Sequence, residues 1–70
     1  MKFRDFLRIL EQEHFTLVRQ AGSHRLYEAV VEGQRRIVTV AGHRESDEIR
    51  PGTLASMIRQ SGLPKARFQR

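Results

Sequence analysis

The chain has 70 residues, 39% of them hydrophobic, with thirteen Lys or Arg against eight Asp or Glu and no cysteine. That length bounds it to a single domain over residues 1–70, burying about 60% of the surface its unfolded form exposes, and the lack of cysteine removes disulfides and thiolate metal sites. Charges interrupt every apolar run near the N-terminus, which excludes a signal peptide or a membrane span and predicts a soluble, cytoplasmic protein with no membrane partner.

Phe3, Phe6, Leu7 and Leu10 follow the i, i+3, i+4, i+7 spacing of one helix face, with Arg4, Arg8, Glu11 and Glu13 largely elsewhere, so the spacing predicts an amphipathic helix near 3–13. His14-Phe15-Thr16-Leu17-Val18-Arg19-Gln20 loses that period and gains β-branched and aromatic residues, which reads as a strand running into a turn at Gly22. Two more strands follow, Arg25 to Val31 and Arg35 to Ala41, at hairpin spacing across Glu32-Gly33, with or without the next two residues in the loop. Gly42 to Arg50 is polar enough for a surface loop. Pro51 then suits a first helical turn, Leu54, Met57 and Ile58 supply an apolar face, and Gly62-Leu63-Pro64 is a Schellman-type stop. The tail from Lys65 to Arg70 adds a helical turn or frays.

The predicted class is therefore α+β, in the order helix, three antiparallel strands, helix. Two helices cover one face of such a sheet and leave the other to water or a ligand. Strand parity puts Tyr27, Ala29 and Val31 on one side and His24, Leu26, Glu28 and Val30 on the other. Tyr27 is the larger anchor and Glu28 the poorer core residue, which points Tyr27 inward and His24 outward.

Charge is unevenly spread. Residues 1–48 hold eight cations and eight acids, whereas Arg50, Arg59, Lys65, Arg67 and Arg70 face no acid later in the chain. Eleven of the thirteen cations are arginine, whose planar fork can hold a phosphate bidentately, so a polyanion is the expected partner, against a merely solvated basic surface.

The amphipathic first helix, Leu17-Val18-Arg19-Gln20 leading to Gly22-Ser23-His24-Arg25-Leu26-Tyr27, then Val38-Thr39-Val40, and Pro51-Gly52-Thr53-Leu54 with Arg59-Gln60-Ser61-Gly62-Leu63 together resemble the HicA family over nearly the whole chain. These are toxins of type II toxin–antitoxin pairs. The resemblance implies a double-stranded-RNA-binding-like fold and a metal-independent messenger RNA interferase (endoribonuclease) that needs no cofactor. It also implies inhibition in a hetero-oligomer with a HicB-type antitoxin covering the His24 surface. The family's catalytic histidine, in its Gly-Ser-His segment, carries over to His24. Family members commonly have Gly-Phe before the first strand where this chain has His14-Phe15, a departure that bears on the turn after helix one.

The chemistry is consistent with such a role. Cleaving RNA without a metal needs a base for the ribose 2′-hydroxyl, an acid for the leaving 5′-oxygen, and cations for the charge that gathers on phosphorus. Histidine serves in either protonation state near neutrality. A two-residue hairpin loop sets His24 opposite Ala41 and a four-residue loop sets it opposite His43; either register brings His43 to the same sheet end as a possible second proton-transfer group. Arg19, Ser23, Arg25 and Arg44 near that end, with Lys65 and Arg67 in the tail, are the candidate RNA contacts. Ser23 is a poor nucleophile candidate, since neighbours in a strand point oppositely. Glu45, Asp47 and Glu48 match no familiar metal-ligand spacing and are expected to favour the dipole of the helix at Pro51. Phe3, Phe6, Phe15 and Phe68 are too scattered for a base-stacking platform. The alternative function is a non-catalytic RNA-binding module of the same fold, with His24 a contact residue.

Overall fold

A computed structural model describes residues 1–41 and 44–69. Helix α1 spans Phe3–Gln12, strands β1, β2 and β3 span Thr16–Ala21, His24–Val31 and Gln34–Val40, helix α2 spans Pro51–Ser61, and a 3-10 turn covers Lys65–Phe68. The strands form one antiparallel sheet in the order β1-β2-β3. This is the expected α-β-β-β-α arrangement. Among the described residues no helix is long and apolar enough to cross a membrane.

The strand expected from His14 begins two residues later because His14 and Phe15 close α1 instead. His14 takes φ +70°, its N–H bonds the carbonyl of Glu11 at 3.0 Å, and the Phe15 N–H bonds that of Leu10 at 2.9 Å. Those paired bonds make a Schellman motif, with Phe15 packing back into the core, so His14 occupies the left-handed position that glycine usually fills. In this chain the His-Phe pair thus closes a complete Schellman turn. At the end of α2, Gly62 also takes a positive φ, +68°, and bonds the Arg59 carbonyl. There the longer bond is replaced by the buried Ser61 hydroxyl, which donates to the Ile58 carbonyl at 2.6 Å and accepts from the Leu63 N–H at 3.1 Å.

The start of α1 has no side-chain cap. Its exposed N–H groups are met from far along the chain: Phe3 bonds the Asp47 carbonyl at 3.0 Å and Arg4 the Glu45 carbonyl at 2.8 Å. Lys2 and Glu48 form an antiparallel bridge, Ile49 N–H bonds the Met1 carbonyl, and the N-terminal ammonium pairs with Glu48 at 2.9 Å. The acidic run expected to serve α2 instead caps α1, placing backbone carbonyls and negative charge at the positive end of its dipole. The first turn of α2 holds no acid.

Tyr27 and Ala29 of β2 and Val38 and Val40 of β3 face the helices and are buried with Phe6, Leu10 and Met57. Tyr27 inward forces His24 outward, since they lie three positions apart on one strand. Phe68, expected to be part of a tail, is buried and stacks on Phe6 with ring centroids 5.0 Å apart and planes 16° apart. The helices cover β2 and β3 and leave every residue of β1 exposed. The two sheet edges differ in consequence. On β3 the Thr39 N–H is bonded by the Gln60 amide oxygen of α2 at 2.9 Å. On β1 an extra residue, Val18, interrupts the ladder between Leu17 and Arg19, a bulge of the kind that discourages edge-to-edge pairing.

Candidate functional site

The turn Gly22-Ser23 joins β1 to β2 in two residues, with Ala21 paired to His24. Gly22 sits at its first central position with φ +58° and meets no atom on the side where a Cβ would lie, the conformation that a tight turn between twisted strands asks of glycine. His24 then opens β2, exposed on the face that carries no helix. Its cross-strand neighbour Ala21 offers only a methyl group, and His24 is exposed to solvent.

Arg19 pairs with Leu26, two residues along from His24, and is exposed. It shares the bare face with His24 as a diagonal neighbour, a relation that spans roughly 7–8 Å in an antiparallel sheet. Thr39, paired with Leu26 on the other side, completes that end of the face. Further along, Glu28 holds Arg35 through Oε2 at 2.7 and 2.8 Å, and this hydrogen bond and charge raise the arginine's proton affinity above its ordinary value. Val30 and Ile37, 72% and 39% exposed, extend the face as apolar surface.

The β2–β3 register is the one set by a two-residue loop, with Val31 opposite Gln34. Glu32 and Gly33 both take positive φ, 52° and 77°, as a type I′ turn requires. The ladder ends at Arg25 opposite Val40, which directs His24 toward Ala41, the first of the two expected alternatives. His43, the candidate second proton-transfer group, lies outside the described residues.

The remaining candidates divide between two faces. Ser23 is exposed at the turn beside His24, and Arg44 is exposed in the chain between β3 and α2. Arg25 follows His24 directly and so turns to the helix side, half-buried. Lys65 and Arg67 stand on the 3-10 turn packed against α1, where Arg67 pairs with Glu13 at 3.3 Å. They belong to the helical layer, away from the bare face. Among the described residues no three His, Asp or Glu side chains converge as metal ligands would.

Arg4 and Arg8, not among the sequence candidates, join the functional surface through the fold. They stand one helical turn apart on α1 and, with Arg25, line an open depression of about 490 Å³ that Leu7, Glu11, Tyr27 and Glu45 complete. The i, i+4 spacing of two arginines was the visible signal. Their meeting with Arg25 depends on how α1 crosses the sheet.

No curated protein and no solved structure matches the sequence. Residues 3–63 match the family described as the HicA toxin of bacterial toxin–antitoxin systems. That span runs from the first residue of α1 to just beyond the close of α2, taking in the Gly22-Ser23 turn, His24 and the whole sheet. The chain therefore belongs to the HicA toxin family, and as the toxin half of such a system it has an antitoxin partner.

Proposed function

We propose that this toxin is a messenger RNA interferase: an endoribonuclease acting by general acid–base catalysis through His24, without a bound metal. The observation that carries the reading is an exposed imidazole at the mouth of a tight turn, on a bare sheet face with Arg19 beside it. Neutral His24 accepts the proton of a ribose 2′-hydroxyl as that oxygen attacks phosphorus. The P–O5′ bond breaks, leaving a 2′,3′-cyclic phosphate and a 5′-hydroxyl. His43 is the proposed donor of the proton to the departing 5′-oxygen, and Arg19 steadies the charge on the phosphorane. Ser23 and Arg44 flank the strand, and Lys65 and Arg67 contribute to its attraction to the protein. The antitoxin is of HicB type and covers the His24 face, where Val30 and Ile37 provide an apolar surface for a protein partner.

Expression of the chain without its antitoxin arrests growth, and His24→Ala abolishes both the arrest and the cyclic-phosphate ends in cellular RNA. His43→Ala slows cleavage by about 100-fold or more, the usual contribution of one acid–base group. An arrest undiminished by His24→Ala would remove catalysis by this residue and favour a non-catalytic RNA-binding module. Full cleavage by His43→Ala would remove the second residue alone.

A further inference from the structure

The depression between α1 and β2 has a composition that the catalytic proposal does not use. Arg4 and Arg8 project from α1 one turn apart, and Arg25 reaches it from β2. Like charges at that helical spacing repel, and a third guanidinium adds to the repulsion. The carboxylates of Glu11 and Glu45 also line the depression, yet among the described residues none of the three arginines is in an ion pair; the pairs formed are Met1–Glu48, Arg35–Glu28 and Arg67–Glu13. Three guanidiniums against two carboxylates leave the open hollow net positive, and forks not held in ion pairs suit an anion that accepts hydrogen bonds from several of them at once. Leu7 and the buried Tyr27 supply an apolar wall.

Its position relates it to the cleavage face. Arg25 and His24 are consecutive in β2 and point to opposite sides of the sheet, and the edge strand β1 beside them carries no helix. An RNA strand rounding that uncovered edge can meet His24 with one phosphate and the depression with another several nucleotides away. We infer that the Arg4–Arg8–Arg25 depression is a phosphate-binding subsite that grips the RNA backbone away from the scissile bond, where the strand continues past the β1 edge. This rests on the RNA-cleaving reading. The subsite positions the strand without reading its bases, as phosphate contacts do.

The test uses the full chain carrying His24→Ala, so that RNA stays intact, and a short single-stranded RNA whose affinity is measured across a salt series. Adding Arg4→Gln and Arg8→Gln weakens binding by about tenfold or more, as loss of charge-assisted hydrogen bonds requires. It also flattens the slope of log K against log salt by about 0.7 for each phosphate that the protein no longer neutralises. Arg25→Gln alone, which leaves α1 untouched, shifts affinity in the same direction. Arg59→Gln, an exposed arginine on α2, serves as the charge control. In parallel, inorganic phosphate shifts the arginine Nε–Hε resonances of Arg4, Arg8 and Arg25 in the His24→Ala protein. Unchanged affinity and slope in the triple variant, or a loss no larger than that of Arg59→Gln, overturn the subsite while leaving RNA binding intact. Absence of salt-dependent RNA binding in the parent His24→Ala protein overturns the RNA reading itself and the subsite with it.

Discussion

Phe68→Ala is the sharpest test of the packing, because it asks whether the end of the chain belongs to the core. Phe68 is 6% exposed and lies on Phe6, itself fully buried. Truncating a buried phenylalanine to alanine costs about 3–5 kcal/mol. The 3-10 turn can also detach locally, since among the described residues the ion pair holding it, Arg67 with Glu13 just past α1, has Arg67 61% exposed and is worth at most about 1 kcal/mol. Detachment limits the loss and favours the lower end, about 3 kcal/mol, including the stacking of the two rings. A chain of this length holds about 3.5–10 kcal/mol in total, so the variant gives up a third of its stability or more. The assay is urea and thermal unfolding followed by circular dichroism, in a His24→Ala background that lets cells produce the protein. At about 4–8 °C per kcal/mol for a small domain, the expected fall in Tm is about 12–24 °C. Phe68→Leu, which keeps most of the apolar volume, loses far less. A Phe68→Ala loss below about 1 kcal/mol would refute docking of the turn and leave Phe6 covered by something else.

Two further substitutions probe the helix ends. His14→Gly relieves a left-handed φ of +70° in a side chain that is exposed; it raises stability by about 1 kcal/mol, seen as a higher urea midpoint at constant m, and no gain would contradict the Schellman geometry at α1. Ser61→Ala strands the Ile58 carbonyl and the Leu63 N–H that the buried hydroxyl bridges. Its cost is about 1–3 kcal/mol, and a neutral result would mean that these two backbone groups bond each other directly once the hydroxyl is gone.

Much of the architecture was legible because it rests on local periodicities. The 3.6-residue spacing of Phe3, Phe6, Leu7 and Leu10 marked α1, Pro51 and Gly62 bracketed α2, and alternation in β2 placed His24 opposite in sense to Tyr27. The hairpin was narrowed to two registers, since loop length alone leaves both open. At the candidate site, the Gly22-Ser23-His24 segment and Arg19 were readable from spacing and resemblance. Arg4 and Arg8 were not, because on α1 alone they look like solvated cations. The β-like composition of His14-Phe15 predicts strand, but the backbone N–H groups there end helix α1 instead.

Element order, the outward-facing imidazole and membership of the HicA toxin family follow from neighbours within a few residues or from recurring motifs. Packing in three dimensions brings the acidic loop onto the start of α1, sets Gln60 on the β3 edge while β1 stays bare, closes Phe68 over Phe6 and joins Arg25 to Arg4 and Arg8. Each of these joins groups distant along the chain. They meet because buried apolar surface fixes how the helices lie on the sheet, and polar groups must then be satisfied by whatever that packing brings within reach.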